Sequence, residues 1–266
     1  MAALEKNELQ QVLEAHAPLA LAEEWDNVGW IIEASHPMRV RRLLLTIDLT
    51  TLVLEEVIAK EVDVVLAYHP PIFDPLMRLA HSDAKARIIM SLVRKGISVY
   101  SPHTALDAAQ GGVNDWLADA FGPGTRSAIQ SPPFASEESG LGQGRLIELA
   151  LPSALAACVD QIKSYLGLQR VRVATASERE IRTIALCAGA GGSVLEAVTA
   201  DLYVTGEMRH HDILAAGERG TSVILCEHTN TERGFLGVWQ QRLQADLPAS
   251  VEVIVSGADA EPLQIL

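Results

Sequence analysis

The chain has 266 residues, 48% of them hydrophobic and 21% charged, a composition that permits a buried core and argues against wholesale disorder. Its formal net charge of −13 disfavours nucleic-acid binding, because DNA- and RNA-binding proteins carry basic patches that displace counterions from phosphates. Three widely spaced cysteines argue against a disulfide scaffold and a thiolate zinc site, and no apolar run reaches membrane-spanning length.

Strands and helices alternate along the first part of the chain. Helical periodicity and capping residues predict helices at 6–16, 52–60 and 83–95. Apolar, β-branched runs predict strands at 28–32, 42–48, 62–68 and 97–101. The Pro70-Pro71 pair ends the strand at 62–68 directly after His69, and a further helix that includes Trp116 follows the strand at 97–101.

The second part repeats the alternation after a segment, 122–144, that is rich in Gly, Pro and Ser. We interpret this segment as a loop-rich connection between an N-terminal lobe, 1–125, and a C-terminal lobe, 126–266. Strands are predicted near 145–151, 170–174, 181–187, 201–205 and 222–226, and helices near 153–166, 193–199, 209–216 and 231–245. Single helices between strands imply an α/β fold with a mostly parallel sheet in each lobe.

Side chains that can bind metal directly follow three of the predicted strands. His69 follows the strand at 62–68, and two pairs, His103 with Asp107 and His228 with Glu232, follow the strands at 97–101 and 222–226. Each pair has His-Thr followed by a carboxylate four residues after the His, a spacing that places both side chains on one face of a helical turn. Because ligands gather at the carboxyl ends of parallel strands, we expect a functional site there.

Imidazole and carboxylate ligands without a nearby thiolate suit Zn, Fe or Mn. Five donors are about the number that two divalent ions need when they lie ~3.5–4 Å apart and share a carboxylate. The sequence therefore predicts bound divalent metal, with two ions per chain. The alternative is that each His-x-x-x-acid pair is a surface ion pair or a helix cap.

Two other segments carry candidate site residues. Gly191, Gly192 and Ser193 follow the strand at 181–187 and could bind an anion through their backbone amides. The alternative is a tight chain reversal capped by Ser193. Glu207 and His211 follow the strand at 201–205 and could support metal ligands or transfer protons, whereas the alternative places Glu207 at the positive end of a helix.

These motifs together resemble the NGG-one-interacting-factor-three-like family, often labelled a type-two homologue of GTP cyclohydrolase I. The matching segments span almost the whole chain and are Trp25–Gly29, Tyr68–Phe73, His103–Asp107, Gly111–Asp115, Gly189–Ser193, Thr205–Glu207 and His228–Gly234. The resemblance implies two α/β lobes that face a central metal cleft, and a homo-oligomer in the form of a hexameric ring.

The resemblance also implies a ligand set: His69, Asp107, His228 and a bridging Glu232, with His103 beside the metals, either as a ligand or in contact with one. Tyr68 stands where many relatives have a further histidine. One metal position is therefore expected to be weaker, empty, or completed by His103 and water.

We expect a metal-dependent hydrolase that acts on a nucleotide or a related heterocyclic or phosphate-bearing small molecule, with His103 or Glu207 transferring protons. The alternative is a metal-binding regulatory protein without turnover, because eukaryotic relatives are linked to transcriptional co-regulators. The N-terminus does not resemble a targeting peptide, so we expect a cytoplasmic protein with a nuclear or mitochondrial pool as the alternative, and no membrane association.

Overall fold

The computed structural model describes residues 4–34, 38–136 and 139–263. The chain divides into two compact units, each with its own large sheet. The first unit contains the chain up to Leu106 together with Phe235–Ala260, and the second contains Asp107–Gly234 with the residues from Glu261 onward. No helix among the described residues is both long and apolar enough to cross a membrane.

The elements alternate largely as the sequence predicts. Up to the end of the first metal-competent pair they are β1 (Leu4–Glu5), α1 (Lys6–His16), β2 (Gly29–Ile32), β3 (Arg39–Val40), β4 (Arg42–Thr46), α2 (Thr51–Ala59), β5 (Val64–Ala67), α3 (Ala84–Lys95), β6 (Ser98–Ser101) and α4 (His103–Ala108). The remaining elements are α5 (Val113–Ala118), β7 (Gly124–Gln130), β8 (Gln143–Ser153), α6 (Leu155–Leu166), β9 (Arg172–Ala174), β10 (Ile181–Cys187), α7 (Gly192–Leu195), β11 (Leu202–Thr205), α8 (His210–Glu218), β12 (Ser222–Leu225), α9 (Phe235–Asp246) and β13 (Glu252–Val255).

The sheet of the first unit is mostly parallel, as predicted. Its strand order is β13-β4-β5-β6-β2, and only β2 runs antiparallel to its neighbour. The central strands β4 and β5 are almost continuously apolar, as expected for strands that are covered on both faces. Leu44 of β4 and Val65 of β5 belong to one buried cluster with Leu92 of α3. The carboxyl ends of β5 and β6 therefore lie side by side and present the residues that follow them.

The sheet of the second unit is mixed rather than mostly parallel. Its order is β7-β8-β10-β11-β12-β9, with parallel pairing only across β10, β11 and β12. The three parallel strands form the buried centre, whereas the antiparallel strands β7, β8 and β9 extend it to both edges. The α/β class is confirmed, and the strand ends that precede the predicted site residues belong to the parallel part.

We predicted that the segment 122–144 is a loop-rich connection, but the structure shows that it also contains strand β7. This strand pairs antiparallel with β8 from Gly124 to Gln130. Its side chains are mostly exposed and polar, so the apolar alternation that marks a half-buried strand is missing from the sequence. The predicted boundary between residues 125 and 126 falls inside this strand.

The two compact units interleave in sequence, whereas we predicted two lobes that follow each other. The C-terminal strand β13 pairs in parallel with β4, about two hundred residues earlier in the chain. Helix α9 accompanies β13 and buries Phe235, Leu236 and Trp239 in the same unit. The C-terminal segment therefore completes the first sheet.

Candidate functional site

Three histidines that follow strand ends share one local arrangement. In each, Nδ1 lies within hydrogen-bonding distance of a carboxylate oxygen of the same unit: His69 with Asp48 (3.0 Å), His103 with Asp26 (2.8 Å) and His228 with Glu207 (2.8 Å). An ionised carboxylate only accepts hydrogen bonds, so Nδ1 must carry the proton. A neutral imidazole in this orientation presents the lone pair of Nε2, which is how metal-binding histidines are usually oriented.

In the first unit, two of these imidazoles lie beside Tyr68, which precedes His69. The ring centroids of His69 and His103 are 5.3 Å apart, and those of Tyr68 lie 5.1 Å from His69 and 5.7 Å from His103. Tyr68 is 1% exposed. Its ring thus packs against both imidazoles.

The carboxylate that orients His103 is held in its ionised form. Asp26 accepts hydrogen bonds from His103 Nδ1, from the backbone N–H of Thr104 (3.1 Å) and from Thr104 Oγ1 (2.5 Å). Burial acts to raise the pKa of Asp26, but these hydrogen bonds outweigh it and hold the pKa below its ordinary value. His103 also has φ +30°, a backbone conformation that is strained for a side-chain-bearing residue and is typical of functional sites.

In the second unit, His228 and Glu232 bring their ligand atoms together. His228 Nε2 lies 3.3 Å from Glu232 Oε1, and Glu232 is 2% exposed. A buried carboxylate is costly unless a positive charge compensates it. Because His228 Nδ1 is directed to Glu207, Nε2 and Glu232 Oε1 are the two facing atoms, and one cation could contact both.

A glycine lies directly against this pair. A Cβ atom on Gly189 would lie 2.6 Å from Glu232 Oε1 and 2.9 Å from His228 Nε2, and Gly189 has φ +62°. Its N–H donates to Thr231 Oγ1 (2.8 Å), which in turn donates to the carbonyl of His228 (2.6 Å). Only glycine fits here, and its backbone fixes the turn that carries both ligand atoms.

The glycine-rich turn is used mainly for packing. Gly191 is the N-cap of α7, so Ser193 lies inside that short helix and does not cap it. The Gly191 N–H donates to Thr205 Oγ1 (3.0 Å), and a Cβ on Gly191 would lie 2.5 Å from Cys187 Cβ. The tight chain reversal explains Gly191 without an anion.

Gly192 and Ser193 line a cavity of about 530 Å³ together with Glu207. Its other charged lining residues are Glu196, Arg209 and Asp212. Three carboxylates against one guanidinium make this cavity a poor place for a phosphate. The anion-binding role of Gly191, Gly192 and Ser193 stays a prediction, which this charge balance does not favour.

Asp107 and His211 are the other predicted site residues, and each has its own local contacts. Asp107 is half-buried on α4, and its carbonyl accepts a hydrogen bond from Asn114 Nδ2 (3.1 Å). His211 is exposed on α8, where its ring centroid lies 5.4 Å from that of His210. The metal-ligand role of Asp107 and the supporting role of His211 stay predictions.

Cysteine is not part of the donor set, although Cys226 is only two residues from His228. All three cysteines are buried and none forms a disulfide. Burial raises the pKa of Cys226 to about 12, with the nearby Glu227 adding to the effect. Because the thiolate is the metal-binding form, this side chain stays a core thiol.

Sequence reasoning did not predict which carboxylates orient His69 and His103, although it considered that Asp26 could line the site or form a turn. Asp48 ends the strand predicted at 42–48, so its position at a strand end was an available signal. Asp26 lies in a turn 77 residues before His103, and no local pattern connects them. Glu207 was a candidate, and the structure places its carboxylate on the Nδ1 of His228.

Comparisons with known proteins agree over nearly the whole chain. A model of the Duf34/NIF3 family, described as NGG1p interacting factor 3, matches residues 4–262. The chain is 44% identical over 269 residues to the NIF3 homologue of Schizosaccharomyces pombe, covering 97% of this chain and 96% of that protein. It is 37% identical over 262 residues to NGG1-interacting factor 3 of Saccharomyces cerevisiae, covering 91% of this chain and 90% of that protein.

A solved structure shows the same fold. The crystal structure of a Bacillus cereus protein related to NIF3 has a TM-score of 0.87 to this chain and covers 100% of both chains. The two sequences are 20% identical, so this likeness concerns the fold and not the activity.

Proposed function

Because this chain belongs to the Duf34/NIF3 family, we propose that it binds divalent metal and uses it to hydrolyse a nucleotide or a related heterocyclic or phosphate-bearing small molecule. The observation that carries the proposal is the shared orientation of three histidines, each with Nδ1 on a carboxylate and Nε2 presented as a ligand atom. One such contact is common on a protein surface. Three of them directly after strand ends are typical of a metal centre.

The donor set fits a divalent cation. His69, His228 and Glu232 each offer a ring nitrogen or a carboxylate oxygen that can hold a metal ion. In the proposal His69, His228, Glu232 and Asp107 would hold the metal, and His103 would serve as a further ligand or as a proton-transfer group. Nitrogen and oxygen donors without thiolate suit Zn, Fe or Mn. The 3.3 Å separation of His228 Nε2 and Glu232 Oε1 supports the proposal, because one cation could contact both atoms.

When bound, the metal would supply Lewis acidity toward the substrate. The protein residues have separate parts in the proposal. His103, held by the ionised Asp26, can accept a proton at Nε2 and return it to a leaving group. Glu207 keeps His228 in the tautomer that binds metal, so its part is orientation rather than proton transfer.

Metal content is the direct test. We expect protein purified without added metal, or reloaded after chelation, to hold up to two ions per chain by elemental analysis. Glu232→Ala and His228→Ala should lower that number. His16→Ala is the matched control, because His16 also contacts a carboxylate, Asp246 at 2.8 Å, but through Nε2 and with the partner exposed. A wild-type protein that stays metal-free after incubation with zinc, iron(II) and manganese contradicts the proposal.

The second candidate function is metal-dependent regulation without turnover. Tyr68 favours it, because a buried neutral phenol replaces a potential ligand and leaves fewer donors for catalysis. The relative from Saccharomyces cerevisiae is named for its interaction with NGG1, and a protein partner for this chain is proposed on that similarity.

Turnover separates the two candidates. Metal-loaded protein should hydrolyse at least one member of a panel of nucleoside mono-, di- and triphosphates, and Glu232→Ala should abolish that activity in parallel with metal loss. Bound metal without turnover of any panel member favours the regulatory function. His16→Ala again serves as the control that should keep both properties.

A further inference from the structure

Trp25 lies beside His103 and is exposed, although large aromatic side chains are usually buried. Trp25 is 62% exposed, and its ring centroid lies 6.2 Å from that of His103 in an edge-on arrangement. Phe73, itself 44% exposed, lies 6.0 Å from Trp25 with an interplanar angle of 56°. The pair forms an open aromatic surface that adjoins a carboxylate-oriented imidazole. We call it the Trp25–Phe73 surface.

Hydrogen bonds fix the two segments that carry the rings of this surface. The residue after Trp25 is the buried Asp26, whose carboxylate is anchored to His103 and Thr104. The next residue, Asn27, donates from Nδ2 to the carbonyl of Ile72 (2.6 Å), directly before Phe73. The two segments that carry the rings are thus joined, so the position of the indole relative to His103 is set before any ligand arrives.

The surface has the chemistry for a flat heteroaromatic ring. The two rings are tilted and already in contact, so a ligand ring cannot enter between them. It can stack on the open face of Trp25, an interaction that every nucleobase can make because each has a π-face. An indole also tolerates the polar edge of such a ring, which an aliphatic patch would not favour.

We propose that the Trp25–Phe73 surface binds the heteroaromatic ring of the substrate by stacking and so places it next to His103. This inference rests on the proposed function, and it assigns the ring-binding residues and the substrate class. It also explains why an indole is exposed at a turn whose next two side chains, those of Asp26 and Asn27, form hydrogen bonds.

The other occupant to consider is a protein surface, because apolar side chains continue after Phe73. Leu76, Met77 and Leu79 are 41%, 92% and 51% exposed. The contact of Trp25 with His103 favours a substrate ring, since a protein interface has no need of an oriented imidazole. The experiment below makes the protein interface one of its outcomes.

The test uses metal-loaded full-length protein and two probes, guanosine 5′-monophosphate and ribose 5-phosphate, which lacks the ring. Trp25→Ala should weaken binding of the nucleotide at least about tenfold by calorimetry, and leave binding of ribose 5-phosphate unchanged. Trp25→Phe should recover most of the affinity, because a smaller aromatic face remains. Trp30→Phe is the control, since the half-buried Trp30 donates from Nε1 to Gln10 and packs on Tyr100.

Metal content measured on the same samples keeps the two proposals distinguishable. Loss of nucleotide affinity in Trp25→Ala with full metal content supports the stacking surface. Equal nucleotide affinity in wild type and Trp25→Ala overturns it, as does a wild-type protein that binds both probes equally, while the metal proposal stands. A change of oligomeric mass in Trp25→Ala by light scattering, with nucleotide affinity kept, also overturns it and assigns the surface to a protein interface. A metal-free wild type contradicts the proposed function instead.

Discussion

Carboxylates orient the imidazoles of His69, His103 and His228 and so determine which ring nitrogen can bind metal. An isolated histidine offers either nitrogen, but an anionic partner at Nδ1 commits the proton and leaves Nε2 as the ligand atom. His69 and His228 both have such a partner, in Asp48 and Glu207. His16 differs, because its carboxylate partner, Asp246, lies against Nε2 instead of Nδ1.

Gly189→Ala tests how tightly the metal-binding pair is held. The added methyl would lie well inside contact distance of Glu232 and His228, at a φ that disfavours side chains. We expect a loss of about 1–3 kcal/mol in the free energy of unfolding and a lower metal content. Denaturant unfolding and elemental analysis measure the two effects.

The control for that substitution is Gly217→Ala. Gly217 lies in α8, and a Cβ there meets nothing within 4 Å. Alanine at this position should leave metal content unchanged and raise stability by up to about 1 kcal/mol through helix propensity. If Gly189→Ala behaves like Gly217→Ala, the turn is looser than the distances indicate.

Glu56 gives a pH-dependent contribution to stability. Burial acts to raise its pKa, but hydrogen bonds from Ser256, Gly257 and Ala258 outweigh this and lower the pKa from 4.5 to about 2. A depressed pKa stabilises the fold above the unfolded value and loses that contribution as pH falls from about 4.5 toward about 2.

Glu56→Gln should therefore lower the free energy of unfolding by about 2 kcal/mol at pH 7 and by less at pH 3. Urea titrations of both proteins at the two pH values measure the difference. Glu55→Gln, exposed on the same helix, should change little at either pH. A deficit for Glu56→Gln that is the same at pH 3 and pH 7 would show that charge is not the cause.

At the level of helices and strands, the C-terminal segment has the largest consequence for the fold. Strand β13 extends the first sheet on the outer side of β4, and α9 covers it with buried Phe235 and Trp239. The order of strands in that sheet therefore does not follow the order of the chain. This explains why the first compact unit needs residues from both ends of the sequence.

Trp239→Ala checks that assignment. Trp239 is 1% exposed, so its truncation should cost about 3–5 kcal/mol, whereas Gln241→Ala on the exposed side of α9 should cost little. Hydrogen exchange should accelerate in β4 more than in β11, because only β4 shares a unit with α9. Faster exchange confined to β11 would contradict the division of the chain.

Across the complete protein, bound metal should appear as added stability. A ligand that binds only the folded state stabilises it by about 2.7 kcal/mol at a hundredfold excess over its dissociation constant. We expect chelation to lower the melting temperature of the wild type and to leave that of His228→Ala unchanged. Equal effects of chelation on both proteins would place the stabilising ion elsewhere.

The assembly stays a prediction. The resemblance to the family implies a hexameric ring, and light scattering should then give about six times the 28.6 kDa mass of the chain. A monomer or dimer mass would contradict the hexamer without affecting the metal proposal. The formal charge of −13 per chain means that assembly should strengthen as salt screens repulsion between copies.

Local pattern was enough to predict most elements and the strand ends that carry metal-competent residues. The helix at Lys6–His16 and the strand at Ile181–Cys187 have the predicted bounds, because hydrophobic period and capping act over a few neighbouring residues. His69, His103 and His228 could be singled out for the same reason, since each directly follows an apolar run.

Partners across long separations needed the folded chain. The hydrogen bond from His103 to Asp26 spans 77 residues, and β13 pairs with β4 across most of the sequence. Edge strand β7 and the close approach of Gly189 to Glu232 likewise depend on what the chain meets after it folds. The physical reason is that side-chain periodicity records which face is buried, whereas pairing, orientation and close contact depend on atoms contributed by distant segments.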